Sequence, residues 1–212
     1  MANNSAKDVP HVCKCGMEQL TGGARVSRLV ETPTEEVLPT AKPEQRRYKA
    51  IFFDRDGTLN VDKDYLYKKE EFEWMDGAVE AIRFANENGY KVIVITNQSG
   101  VARGYFKEAD VKALHDWMNE QLKEYGAHID AFYYCPHHPE AVIPEYRKKC
   151  ECRKPGSRLV ENACRDFDVD KEKAIMIGDA DRDLEAASKL GIRGVKYTGG
   201  SLYELVKQNL PG

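Results

Sequence analysis

The feature that most constrains this chain is an alternation. Short apolar runs, AIFFD (50–54), KVIVITN (91–97), AFYYC (131–135), KAIMIGD (173–179) and GVKY (194–197), are separated by longer amphipathic stretches. Runs rich in Ile, Val, Phe and Tyr read as strands buried on both faces, the pattern of a parallel sheet, whose crossover helices cover it on either side. Helices are expected over 77–88, 107–125, 157–167 and 182–190, with Gly89, Gly126 and Gly191 as C-terminal stops. The expected fold class is therefore α/β, a doubly wound parallel sheet. Such sheets bind ligands beyond the carboxyl ends of their strands, so the residues that end each run are the ones to collect.

Those residues are rich in oxygen. The first run ends in DRDGT, with Asp54 and Asp56; the second in TNQSG, with Thr96 and Asn97; the fourth in GDADRD, with Asp179, Asp181 and Asp183. Carboxylates brought together repel one another, and a hard divalent cation, typically magnesium, is the usual remedy. A carboxylate beside such a cation, with Arg153 and Lys154 to offset phosphate charge, suits phosphoryl transfer through an aspartyl-phosphate intermediate. Asp54 is the expected nucleophile. Asp56, turned by the Gly57-Thr58 bend, is the expected acid for the leaving group and later the base for water. A lone D-x-D-G is more often a turn or a helix cap than an enzyme site. Its occurrence in order with a strand-ending Thr, a distant basic pair and GDADRD sets this chain apart.

A second constellation lies in CPHHPEAVIPEYRKKCECRKPG (135–156). Cys135, His137, Cys150 and Cys152 offer three sulfurs and one nitrogen, a tetrahedral set for zinc, and His138 is an alternative to His137. Four soft ligands leave no open position, so such a zinc is structural, a staple for a loop of low apolar content. It would hold Arg153 and Lys154 at the phosphate site. His11, Cys13 and Cys15 form a weaker group in the N-terminal segment, and Cys164, Trp117 and Met118 read as core residues on helices. Arg103 faces the site or the solvent, and His115 and His128 receive no role.

Composition limits the partners. A net charge of -3 provides no broad field for a polyanion, so nucleic acid is not expected. No apolar run approaches the roughly 20 residues that span a bilayer, so no membrane partner is expected. The N-terminus lacks the apolar core of a secretion signal, and paired cysteines in a reducing compartment point to metal; a cytoplasmic protein is expected. A G-x-x-x-x-G-K loop is absent, which argues against an ATP-driven kinase. Residues 1–46 show no sustained period and read as an irregular N-terminal tail, leaving 47–212 as the catalytic domain, with a monomer favoured. The spacing between motifs leaves no room for a separate cap domain, so short loops (60–72, 98–106 and 136–153) must build the pocket.

DRDGT, TNQSG, CRKP and GDADRD resemble, in that order, the four motifs of the haloacid dehalogenase superfamily phosphatases, over about residues 48–200. The chain is most similar to the subgroup that contains the heptose bisphosphate and histidinol-phosphate phosphatases. The resemblance implies Asp54 as nucleophile, Asp56 as acid and base, and magnesium on Asp54, the Asp56 carbonyl and Asp179. It also implies Thr96 and Lys154 steadying the phosphoryl group and Arg153 recognising substrate, and it favours His137 over His138 at the zinc. Asp62, Lys63, Asp64 and Tyr65, with Asn97, Gln98 and Ser99, are implied to line the substrate pocket. TNQSGVARG and CPHHP are more like the heptose enzymes, so the implied reaction is loss of the 7-phosphate of a heptose 1,7-bisphosphate. A histidinol-phosphate phosphatase is the nearest enzyme alternative, and a non-catalytic zinc-stapled binding module the alternative of another class. Position 180 departs from the pattern: it is alanine where the resembling enzymes often carry lysine, which bears on contact with a second phosphate.

Overall fold

The computed structural model describes His11, Val12 and residues 47–210. Six strands form one all-parallel sheet: β1 (His11–Val12), β2 (Tyr48–Phe53), β3 (Lys91–Asn97), β4 (Ala131–Cys135), β5 (Val169–Gly178) and β6 (Arg193–Lys196). Their spatial order is β1-β4-β3-β2-β5-β6. Six helices accompany them: α1 (Ala78–Glu87), α2 (Gly100–Arg103), α3 (Glu108–Lys123), α4 (Arg158–Asp166), α5 (Asp181–Ser188) and α6 (Leu202–Asn209).

The five apolar runs are the five main strands, and the four anticipated helices are α1, α3, α4 and α5. Gly89, Gly126 and Gly191 follow α1, α3 and α5 with φ of 75°, 68° and 76°. The sequence reading missed α2, α6 and the short β1, which pairs with Phe132 and Tyr133 at the edge of the sheet. Cys13 and Cys15, like most of the proposed tail, lie outside the described residues.

Alternation along the strands builds two cores. Ile51, Phe53, Val92, Val94, Ile175 and Ile177 point to one face, where Ala81 and Ile82 of α1, Met118 and Leu122 of α3, and Leu202 and Val206 of α6 cover them. Ala50, Phe52, Ile93, Ile95, Tyr133 and Met176 point to the other, against Leu159, Val160 and Ala163 of α4 and Ala186 and Ala187 of α5. Each Leu, Ile or Phe side chain removed from water contributes roughly 1.5–3 kcal/mol, so both faces of every central strand are committed to packing. Met118 and Cys164 are buried as expected of core residues, and Trp117 packs against the first core.

The strand order sets where the site forms. Successive connections run from β2 outward to β3 and β4, then cross back to β5 and β6 on the other side of β2. The central strand is thus the point at which the winding reverses, and a crevice opens at its carboxyl end. Asp54, immediately beyond β2, sits between the ends of β3 and β5, and its N–H continues the ladder to the Ile177 carbonyl (2.9 Å).

Candidate active site

Three strand ends meet at this crevice. Asp54 follows β2, Thr96 and Asn97 end β3, and Asp179 follows β5. Asp54, Thr96 and Asn97 line a cavity of about 290 Å³ together with Asp56, Gln98, Ser99 and Gly100, and with Asp62, Asp64 and Tyr65 from the segment after the first motif. Six of the anticipated pocket residues therefore line one cavity. Lys63 is not among the lining residues; its ammonium pairs with Glu73 at 3.1 Å.

The centre of the site is a buried charge cluster. Lys154 Nζ lies 2.7 Å from Asp54 Oδ1 and 2.8 Å from Asp183 Oδ1, and donates to the Ile95 carbonyl at 2.7 Å. All three side chains are buried, so the ion pairs form in a medium that screens them weakly. Burial pushes the Asp54 carboxyl up to about 7; the nearby Lys154 ammonium opposes that shift and Asp183 adds to it. Burial, and then the charge of Asp183, likewise raises Asp179. Asp179 Oδ1 is buried without a hydrogen-bond partner.

Carboxylate oxygens of Asp54, Asp179 and Asp183 lie within 4.8 Å of one another. A set of hard oxygen donors with an orphaned buried oxygen fits a divalent cation such as magnesium. Glycine permits this closeness. A Cβ on Gly57, which has a φ of 84°, would sit 2.6 Å from Asp179 Oδ2, and one on Gly178 would sit 2.5 Å from Asp183 Cβ. Asp183 was visible in GDADRD, yet only its place under Gly178, where its Oδ2 also accepts the Ala180 N–H (3.1 Å), brings it into the cluster.

Asp56 is held asymmetrically. Its Oδ1 accepts from Arg55 Nη2 (2.9 Å), Arg55 Nε (3.2 Å) and Asn60 Nδ2 (3.1 Å), whereas Oδ2 accepts only Gln98 Nε2 (2.9 Å). The same Gln98 nitrogen donates to Thr96 Oγ1 at 2.9 Å, which leaves the threonine hydrogen available to the cavity. Asn97 was anticipated as a substrate contact. It lines the cavity, and its amide also exchanges a reciprocal pair of bonds with the Lys154 backbone, Lys154 N–H to Oδ1 at 3.0 Å and Nδ2 to the Lys154 carbonyl at 3.1 Å. Asn97 thereby fixes the lysine-bearing turn, which continues through a cis Lys154–Pro155 bond.

Positive charge rims the cavity. Arg182 lines it directly. Arg103, at the end of α2, lies over the Tyr65 ring at 5.8 Å, with Tyr105 edge-on to Tyr65 at 4.9 Å. Burial, and then the charges of Arg182 and Arg103, hold the Arg153 guanidinium below its ordinary pKa, and Arg153 Nη1 is buried without a hydrogen-bond partner. Asp64 and Tyr65 both adopt left-handed backbone, φ 50° and 60°, a conformation that costs energy in non-glycine residues and gathers at functional sites.

The cysteine-rich loop stands beside this rim. Ligand atoms of Cys135, His137 and Cys150 lie within 4.8 Å of one another, with Cys135 Sγ 3.7 Å from His137 Nδ1. Soft sulfur and imidazole donors at this closeness fit zinc. Cys152 is buried in the neighbouring core, but its sulfur does not share that mutual distance. His138, the alternative ligand, instead accepts the Glu140 N–H at its Nδ1 (3.1 Å). Glu108 of α3 ties the loop down by accepting from Tyr134 (2.5 Å) and Tyr146 (3.0 Å). Val142 and Ile143 both donate to the Ala102 carbonyl of α2, at 3.0 and 3.1 Å.

Comparison with known proteins agrees with the motifs. Residues 49–191 match the family described as polynucleotide kinase 3 phosphatase. A D-glycero-beta-D-manno-heptose-1,7-bisphosphate 7-phosphatase of Rhodopseudomonas palustris is 45% identical over 164 residues, 77% of this chain and 91% of that one. A D-glycero-alpha-D-manno-heptose-1,7-bisphosphate 7-phosphatase of Photorhabdus laumondii is 38% identical over 149 residues, 70% of this chain and 81% of that one. The crystal structure of D,D-heptose 1.7-bisphosphate phosphatase from B. bronchiseptica, complexed with magnesium and phosphate, superposes with a TM-score of 0.64 at 35% identity, covering 77% of this chain and 88% of that one. The chain is a phosphatase and belongs to the haloacid dehalogenase-like family of the heptose-1,7-bisphosphate 7-phosphatases.

Proposed function

We propose that this enzyme removes the 7-phosphate of D-glycero-D-manno-heptose 1,7-bisphosphate, with magnesium, through a phosphorylated Asp54. The observation that carries the chemistry is the pair of unequal carboxylates. Asp54 is buried against Lys154, with Oδ1 held at 2.7 Å by that ammonium and at 2.7 Å by the Arg55 N–H, which leaves Oδ2 to attack phosphorus. Asp56, with Oδ1 engaged by three donor contacts, keeps Oδ2 as the oxygen that carries a proton.

In the first half-reaction Asp54 forms a bond to phosphorus as the bond to the sugar oxygen breaks, and Asp56 delivers its proton to that oxygen. In the second, Asp56 takes a proton from a water that attacks the aspartyl phosphate, releasing inorganic phosphate and restoring Asp54. Thr96 and Lys154 offset and orient the transferring oxygens. Asp54, Asp179 and the Asp56 carbonyl would hold magnesium, which would supply positive charge favouring the ionised nucleophile and the charge of the phosphoryl group. Zinc on Cys135, His137 and Cys150, with Cys152 nearby as the anticipated fourth ligand, would have a structural role, holding the loop that carries Arg153. Arg103, Arg153 and Arg182 supply cationic charge around the mouth, suited to a second phosphate on the substrate; Arg182 brings such charge into a motif whose position 180 is alanine. Among the described residues Cys135, Cys150, Cys152 and Cys164 are not joined as disulfides, which suits a reducing cytosol. Among the described residues no helix is long and apolar enough to cross a membrane.

The test is phosphate release from both anomers of heptose 1,7-bisphosphate, fructose 1,6-bisphosphate, histidinol phosphate and a 3′-phosphorylated oligonucleotide, in magnesium and in chelator. A heptose bisphosphate should exceed the others in kcat/KM by about 100-fold or more, and Asp54→Asn should lose at least about 1,000-fold, the scale on which covalent and electrostatic catalysis depends. Preference for histidinol phosphate would overturn the substrate. An Asp54→Asn enzyme that still turns over would overturn the nucleophile.

A further inference from the structure

Arg55 is a charged side chain in an unexpected place. It stands between Asp54 and Asp56, where sequence pattern alone would read it as a solvated residue of a turn, yet it is 1% exposed. A guanidinium is always charged and offers only donors, so its burial requires acceptors on every side. Three surround it: Asp56 Oδ1, the Leu66 carbonyl at 2.9 Å from Nη2, and His115 Nε2 at 3.3 Å from Nη1. His115 comes from α3, 60 residues away, is fully buried, and stacks on Phe132 with ring centroids 4.2 Å apart and planes 10° from parallel. Because arginine cannot accept, the contact assigns a lone pair to His115 Nε2.

We propose that His115 is a positioning residue for the reaction: by accepting from Arg55 it fixes the guanidinium plane, and that plane pins Asp56 Oδ1 so that Oδ2 alone faces the group to be protonated. The Phe132 stack sets the imidazole, the imidazole sets one edge of the guanidinium, and two other nitrogens of the guanidinium meet one carboxylate oxygen. Leu66 anchors the same guanidinium from the segment that follows the pocket residues 62–65, so the acid and one pocket wall share a single buried cation. The proposal rests on reading Asp56 as the general acid and base.

The experiment compares His115→Phe, which keeps a ring on Phe132 and removes the acceptor, with His115→Gln, whose side-chain oxygen accepts again. Each is measured with heptose 1,7-bisphosphate, whose alkoxide leaving group needs a proton, and with 4-nitrophenyl phosphate, whose leaving group does not. The phosphorylation step is followed by single turnover. His115→Phe should lower that rate for the sugar phosphate by about 10-fold, a fraction of the effect of a general acid, with KM within about 2-fold and the nitrophenyl rate within about 2-fold. His115→Gln should recover most of the loss. Equal losses on both substrates, a change confined to KM, or no recovery with glutamine would overturn the proposal. Independent of any variant, nitrogen NMR of the histidine-labelled wild-type enzyme should find the His115 ring with unprotonated Nε2; a proton there would overturn it. Failure of the underlying reading is distinguishable: an unchanged leaving-group dependence in Asp56→Asn would remove Asp56 as the acid, whatever His115 does.

Discussion

The molecule holds two clusters of candidate metal ligands, and they are built in opposite ways. The carboxylates of Asp54, Asp179 and Asp183 are delivered by the ends of β2 and β5 and the first turn of α5, elements packed on both faces. A buried ammonium, Lys154, already stands among them. The thiols and imidazole of the second cluster are delivered by the end of β4 and an irregular loop whose regular element is a three-residue turn at Pro144–Tyr146. On the proposed function, the cluster built by the sheet would take a cation for chemistry, and the cluster built by a loop would take one for shape.

Lys154→Met tests the first half of that contrast with the largest effect. Breaking a buried pair by removing one partner leaves the other charge uncompensated, at roughly 3–5 kcal/mol; urea unfolding should report a loss on that scale. Added magnesium should return part of it, because a second cation can take the place of the first among Asp54 and Asp183. A loss untouched by magnesium would mean that the sheet does not leave the acidic cluster ready for a cation.

The second half is tested by Cys150→Ser, or by a chelator strong enough to strip zinc. The expected outcome is a fall in kcat/KM of about 10-fold or more, as for other disturbed metal surroundings, with backbone amides of residues 136–153 exchanging faster while the strands keep their protection. Uniformly faster exchange across the sheet would instead make the loop part of the core.

The smallest effect sharpens the comparison with a carboxylate away from both clusters. Asp130 accepts from Lys91 Nζ (2.7 Å) and the Val92 N–H (2.9 Å), with His128 Nε2 at 3.7 Å. Burial acts to raise its pKa, but His128, Lys91 and Val92 prevail and hold it below the ordinary carboxylate value. A depressed folded pKa contributes stability that is present above the unfolded value of 3.8 and lost as pH falls through the folded one. Asp130→Asn should therefore cost about 1–2 kcal/mol at pH 7, and the difference from wild type should shrink as pH falls below 4. Asp54, shifted upward, should show the reverse dependence in metal-free protein, with stability declining from pH 4 to 7.

The contrast also explains what could be read in advance. The strands and their acidic ends were legible because apolar runs and strand-end aspartates are local signals: AIFFD followed by DRDGT needs no knowledge of neighbours. Arg55 was not, since its acceptors come from residue 66 and residue 115, and no window of sequence contains them. Asn97 lines the pocket and is also a brace, a second role hidden in the sequence because its partner lies 57 residues onward. The helix α6 was missed because a short element at the chain end carries few periodic positions. The metal clusters divide similarly. Cysteine spacing pointed to the loop, but the exclusion of Cys152 from the closest trio depends on how the backbone turns between Cys150 and Arg153, which spacing does not encode.

The reciprocal bonds between Asn97 and Lys154 have a consequence for how this family can vary. They join the second and third motifs directly, so Lys154 is referenced to β3 and not to the chain that leads up to it. Everything from α2 through the cysteine loop is, in topological terms, a closed excursion that departs from and returns to one amide. Loops inside such an excursion, unlike α3 and the buried strand β4, can change length while the Lys154 ammonium stays beside Asp54. On the proposed function, the loops that border the pocket could then be exchanged as a cassette with the Asp54–Lys154 pair left in place.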